Sequence, residues 1–262
     1  VYESKGSTNN RIEPCFFITL QLLANAYRQA YGPNTNIDQI QNNPKYEVGL
    51  FIPCYINAIY PQVGVASYKI LSRLGVDVDY PLDQTCCGQP MANAGFENEA
   101  SRLARRFETL FQSYDYIVGP SASCVAFVKQ TIPTYWHKKD IGADAEKIYD
   151  LCEFIHDVVK PEHLDARFPH KVSLHNSCHG VRELHLSSPS ERNIPYYNKL
   201  RDLLLMVKDI EVCEPSHVDE CCGFGGMFAI EEQAVSVCMA KDKISTTAKP
   251  GPNILPEPTA PA

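Results

Sequence analysis

The spacing of apolar residues changes period several times along this chain, and the changes fall in a repeating order. Residues 48–52 form a short apolar run that ends at Pro53-Cys54, which predicts a strand delivering a cysteine at its C-terminal end. Residues 61–75 carry apolar positions at helical spacing and stop at Gly75. Residues 76–80 alternate as a strand does and lead to Cys86-Cys87-Gly88. Residues 93–113 predict one long amphipathic helix, 115–119 a third strand, and Pro120-Ser121-Ala122-Ser123-Cys124 a loop of small residues opening another helix. The rhythm then returns. Residues 171–175 read as a strand ending near Cys178, and 195–207 as a helix with Pro195 in its first turn. A strand over 209–213 follows, then Cys221-Cys222-Gly223 and a helix over 228–243.

Strand, cysteine, helix, strand, Cys-Cys-Gly, helix, met twice, is an internal duplication of α/β units. The predicted fold is α/β, with two Rossmann-like cysteine-rich units, each on a mainly parallel sheet, at 47–165 and 166–245. The second unit is truncated: it lacks the third strand and final cysteine loop of the first. Residues 1–46 read as an N-terminal helical extension, a helix over 16–31 and an Asn-rich linker over 32–44. From residue 245 the periodicity ends, and the proline-rich stretch to 262 predicts an extended tail. In parallel sheets ligands gather at the C-terminal ends of strands. Every motif cysteine falls at such an end.

Composition narrows the function. The chain has 262 residues, 44% of them hydrophobic and 21% charged, enough to bury a sizeable core. No run of 18 or more apolar residues occurs, so no membrane-spanning helix is predicted. A net charge of −7 argues against nucleic acid as a partner. Residues 1–15 do not read as a signal peptide.

Eleven cysteines are too few for a disulfide scaffold, odd in number, and clustered in motifs. Adjacent cysteines suit a mutual disulfide poorly, but both can face one metal or cluster. Cys54, Cys86, Cys87 and Cys124 supply four candidate thiolates from separate loops, a donor set for Zn²⁺ or an iron–sulfur cluster. The second unit offers Cys178, Cys221 and Cys222, with His175 and His179 beside the first of these. Gly223, Gly225 and Gly226 let the backbone pass close to a bound group. Cys15, Cys152, Cys213 and Cys238 lie outside the motifs, and Trp136 reads as packing. No Ser-His-Asp order or paired carboxylates support hydrolysis, so catalytic residues are not assigned.

Phe51-Ile52-Pro53-Cys54-Tyr55, Cys86-Cys87-Gly88-Gln89-Pro90, His175 to His179 (HNSCH) and Cys221-Cys222-Gly223-Phe224-Gly225-Gly226 resemble the cysteine-rich CCG-domain family of (Fe-S)-binding proteins. The likeness spans roughly 47–245 and includes proteins of lactate oxidation, the iron–sulfur component of glycolate oxidase and the cysteine-rich component of heterodisulfide reductase. It implies a 4Fe-4S type cluster or zinc on Cys54, Cys86, Cys87 and Cys124, and a second group on Cys178, Cys221 and Cys222. It implies electron transfer within a flavin-linked dehydrogenase or respiratory complex, beside other subunits of that complex, in a reducing compartment: cytoplasm in a bacterium, mitochondrion in a eukaryote. The other reading is an accessory subunit that keeps the fold for docking, with zinc or no metal. The family pattern closes each unit with CxxC. Here Ser121 stands at the first of those two positions, and the second unit ends before its pair.

Overall fold

The computed structural model describes residues 46–133 and 145–248. The predicted N-terminal helix and linker, Cys15, Trp136 and most of the proline-rich tail lie outside them.

Strand β1 (Glu47–Leu50) is followed by a short helix α1 (Cys54–Ile59) and by α2 (Pro61–Arg73). β2 (Asp77–Asp79), α3 (Gln89–Asn93), α4 (Glu97–Phe111), β3 (Tyr116–Gly119) and α5 (Ala122–Ala126) come next. A fourth strand, β4 (Ile148–Asp150), completes a sheet of order β2-β1-β3-β4 in which every pair is parallel. From β1 the chain moves to one side to make β2 and then returns to make β3 on the other. The crevice between β1 and β3 is therefore the switch point where parallel sheets bind ligands. Cys54 leaves one side of it and Cys124 the other.

Helix α6 (Leu151–Glu153) follows β4, running on into a π-helical turn. The second unit contributes β5 (Lys171–Ser173), α7 (Cys178–Arg182), α8 (Lys199–Leu205) and β6 (Glu211–Cys213), with β5 and β6 parallel, and then α9 (Phe228–Glu231) and α10 (Gln233–Ala248). Both units are thus α/β on parallel sheets. They also share a core, because Val48, Leu151 and Phe154 of the first pack in one cluster with Val172, Leu203 and Leu204 of the second. Among the described residues no helix is long and apolar enough to cross a membrane.

On the other face of the large sheet, Phe51 meets Phe107 edge-on with centroids 5.0 Å apart, and Phe107 meets Phe111 at 4.6 Å. Such pairs add about 0.5–1.5 kcal/mol each beyond burial. Gly49 makes room for this wall: a Cβ there would lie 2.7 Å from the Tyr114 ring.

Several elements differ from the sequence reading. The helix expected over 93–113 is α4 alone, starting at Glu97 after the turn at Gly95, whose φ of +83° is left-handed, and the short α3 before that turn was not foreseen. The helix expected from Pro195 starts after Asn198, whose side chain accepts from the Arg201 amide at 3.0 Å as a true N-cap. The last helix is split at Glu232, and it continues to Ala248, so residues 245–248 belong to it and not to the tail. β4 and α1 were not foreseen, each being too short to show a period.

Candidate metal centre

Cys54 is the first residue of α1 and is exposed. Cys86 is half-buried, while Cys87 and Cys124 are 2% and 6% exposed. All four are free thiols. The loop before Cys86 has no regular structure, and Gln84 fixes it. Its Oε1 accepts from the Ile52 amide at 2.7 Å, while its Nε2 donates to the Leu50 carbonyl at 3.1 Å and the Pro81 carbonyl at 3.0 Å. One side chain thus ties the approach to the Cys-Cys pair to the end of β1, where Cys54 emerges. Gly88 then turns left-handed, φ +97°, and its amide donates to Cys86 Sγ at 3.4 Å.

These devices bring the four thiols together. A hydrogen bond with Cys86 pushes Cys54 far up, helped by burial. Cys86 is held far below the thiol range, because Cys54, Cys87 and the Gly88 amide all donate to it. Cys87 is pushed well up, first by its bond with Cys124, then by its bond with Cys86 and by burial. The arrangement is a chain of contacts, Cys54 to Cys86 to Cys87 to Cys124, that favours one negative charge and resists more. Further ionisation therefore needs a cation among the sulfurs. Yet among the described residues no three Cys, His, Asp or Glu side chains converge as a single ion requires. Four soft donors, each interacting with the next, fit a thiolate-ligated metal ion or cluster.

The second unit repeats the design. Asn176 reaches the approach loop, its Nδ2 donating to the Val218 carbonyl at 3.1 Å. Ser177 caps α7 through its Oγ, which accepts from the Gly180 amide at 3.1 Å. Gly223 has φ +76°, and its amide donates to Cys221 Sγ at 3.4 Å. Burial pushes Cys178 up to about 11, with Cys221 and Cys222 adding to the rise and Arg182 opposing it. The three thiols predicted here are therefore neighbours. His179 is turned to Glu183, Nε2 to Oε1 3.6 Å. The Nδ1 of His175 is buried with no hydrogen-bond partner. Cys238 is exposed on α10, Cys213 ends β6, and Cys152 is buried in α6.

Sequence reading missed several polar side chains around the first site. The Tyr55 hydroxyl and Ser121 Oγ are hydrogen-bonded at 2.8 Å. Burial pushes the Tyr55 phenol well up, and Cys124, Cys87 and Cys54 add to this, so the ring lies among the thiols. Gln89 Oε1 accepts from Ser123 Oγ at 3.0 Å and from Cys124 Sγ at 4.0 Å. Tyr55 and Gln89 each directly follow a motif (Cys54 and Cys86-Cys87-Gly88), and that adjacency was the only available signal.

The family model of the CCG cysteine-rich domain matches this chain twice, over residues 48–129 and 172–259. Lactate utilization protein A of Exiguobacterium sp. is 34% identical over 216 residues, covering 79% of this chain and 83% of that protein. Lactate utilization protein A 1 of Bacillus mycoides is 33% identical over 217 residues, covering 80% and 83%. Lactate utilization protein A of Geobacillus kaustophilus is 35% identical over 202 residues, covering 76% and 80%. Each match brackets one set of strand-end thiols, and with two in tandem the chain belongs to the CCG cysteine-rich domain family.

Proposed function

We propose that this chain is an iron–sulfur subunit of a lactate-utilisation system, passing electrons between a flavin-linked dehydrogenase partner and an acceptor. The observation that carries the reading is the set of four mutually interacting thiols Cys54, Cys86, Cys87 and Cys124 at the β1/β3 crevice. The relatives' names supply the pathway. An iron–sulfur cluster held by these four cysteines supplies one-electron chemistry at a potential tuned by hydrogen bonds to sulfur and by exposure. The chain's own contribution is to hold and tune the donors. Gly88 donates to Cys86 Sγ. Tyr55 and Ser121 fill the space beside Cys124 and Cys87 with a hydroxyl pair. Cys54 is exposed, so a docked partner can approach the site from that side.

Cys178, Cys221 and Cys222 form a second, three-thiol site that needs a fourth ligand from elsewhere. The chain works in a reducing compartment, where its thiols stay free, and its partners are other protein subunits, not nucleic acid. The role proposed for the chain is electron transfer.

Metal and labile-sulfide analysis of the anaerobically purified chain, with an EPR spectrum after reduction, tests this. Iron with stoichiometric sulfide and a reducible signal supports it. One zinc with no iron sinks it in favour of an accessory subunit with a structural ion. Metal-free protein held stably in a complex would favour the accessory role without any ion.

A further inference from the structure

Two prolines force the sheet open where the first thiol site lies. The register of β1 and β3 pairs Leu50 with Val118, and the ladder runs on to the Phe51 amide, which donates to the Val118 carbonyl at 2.9 Å. In a parallel ladder the next two rungs would start from the amides of Pro120 and Pro53. Proline has no N–H to give. Backbone pairing therefore stops while the strand ends are still in tight contact. A Cβ on Gly119 would lie 3.0 Å from the Phe51 ring and 3.1 Å from the Phe51 carbonyl oxygen. Beyond this point one side turns into α1, which carries Cys54, and the other into α5, which carries Cys124.

A pair of side chains joins the two sides past the prolines. Tyr55, directly after Cys54, has its hydroxyl 2.8 Å from Ser121 Oγ. Ser121 is 1% exposed and stands one turn before Cys124. It is the N-cap of α5, yet its side chain makes no capping bond. Ser177, the N-cap of α7, does make one, accepting from the Gly180 amide. The Ser121 hydroxyl is thus committed across the crevice and not to its own helix. Tyr55 is held in turn by the apolar core, packing against both of its clusters. A hydroxyl pair so shielded is a firm tie, because breaking it strands a buried polar group. In the second unit the matching residue is turned differently. His179, directly after Cys178, has Nε2 3.6 Å from Glu183, the C-cap of its own helix.

We propose that the Tyr55–Ser121 bond is a strap that holds the first thiol site closed, with Tyr55 and Ser121 as positioning residues for Cys54 and Cys124. The proposal rests on the four-thiol ligand set given above, and not on which group that set holds. Cys54 and Cys124 are the first and last members of the thiol series, so the strap spans the gap that the series itself leaves. The coupling of the Tyr55 phenol to Cys124, Cys87 and Cys54 agrees with this placement. Without the strap α1 can move away from α5, and Cys124 becomes reachable from the crevice.

The test is brief alkylation by iodoacetamide of the folded full chain, purified anaerobically, with the rate at each cysteine read by mass spectrometry. Labelling of a buried thiol in the native state follows local opening. A hydrogen bond of ordinary net strength holds such opening back by about two- to tenfold. Tyr55→Phe and Ser121→Ala should each speed labelling of Cys124 by about that factor. The double variant should be no faster than the faster single one, because both changes remove the same bond. Ser121→Thr, which keeps a hydroxyl, should restore the parent rate. Cys152, buried in α6, is the reference for general loosening and should not change. An unchanged Cys124 rate in Tyr55→Phe, equal acceleration at Cys152, or effects that multiply in the double variant overturn the proposal. If Ser121→Ala fails to fold, Tyr55→Phe still decides, since the freed Ser121 can turn to cap α5 and keep that helix. Samples are compared at matched metal content, and the comparison holds whether the thiols carry iron, zinc or nothing. Its failure therefore leaves the iron–sulfur reading standing, while zinc in the purified chain sinks that reading and leaves the strap.

Discussion

The Gly88 amide donates to the Cys86 sulfur at 3.4 Å, and Gly223 repeats the relation with Cys221 at the same distance. Both glycines are left-handed, and that conformation turns each amide back onto the first sulfur of its pair. The third letter of the Cys-Cys-Gly motif is therefore a backbone requirement. A Cβ on Gly88 would lie 3.1 Å from the Ala100 carbonyl oxygen, and one on Gly223 would lie 2.8 Å from that of Ser236. Gly88→Ala should cost about 1–3 kcal/mol and lower metal retention, read by denaturant unfolding and metal analysis. Gly223→Ala should destabilise the fold at least as much, because its neighbours are closer.

Gln84 gives a sharper test, because it touches no sulfur. Gln84→Ala leaves the buried Ile52 amide without its acceptor, a loss of about 1–3 kcal/mol. Gln84→Glu keeps that acceptor but turns a second oxygen toward the Leu50 and Pro81 carbonyls, so it should be the worse of the two at neutral pH. Both variants should release metal more readily to a chelator than the parent chain does. Unchanged release would show that the loop holds the Cys86-Cys87 pair without this tie.

How much of this was legible follows from the length of each signal. β1, β3, α2 and the repeat itself showed in the sequence because apolar periodicity marks each over several residues. The thiol set was legible from motif spacing alone, since soft donors have few other uses at strand ends. The turn at Gly95 that delays the start of α4 and the break at Glu232 were not, because the apolar pattern continues across each while the backbone departs from it. Gln84 and Asn176 look like ordinary loop residues, and their roles come from contacts 32 to 42 residues away in the chain. Asp150 carries no local mark, and His175 shows only as the start of the His175-to-His179 motif. Burial shifts the protonation of both, and only the fold creates it.

Cys87 is the most buried of the first four thiols and interacts with both Cys86 and Cys124. Cys87→Ser should abolish metal retention at the first site, with iron and sulfide falling together. Cys213→Ser, at the end of β6 and away from the motifs, is the matched control and should leave metal content unchanged. If Cys87→Ser retains full metal, the ligand set proposed here is wrong.

The two units are also joined by charge. Lys199 on α8 reaches Asp157 of the first unit at 2.5 Å, and His156 Nδ1 lies 2.6 Å from the same carboxylate. Burial pushes Asp157 up, but the bonds and charges of Lys199 and His156 together outweigh it, and the net shift is downward. A carboxylate lowered below its unfolded value stabilises the fold above that value, 3.8, and the contribution is lost as pH falls through the folded value. Asp157 is about a third exposed, so solvent screening holds the effect to about 1 kcal/mol or less. Lys199→Met should therefore cost about that much at pH 7 in low salt, and less in high salt. The difference from the parent chain should shrink as pH falls below 3.8 and through the lowered folded value, where the carboxyl becomes neutral. Unfolding curves at pH 7 and pH 2.5, each at two salt concentrations, check this, and a deficit of equal size in all four would assign Lys199 to packing rather than to charge.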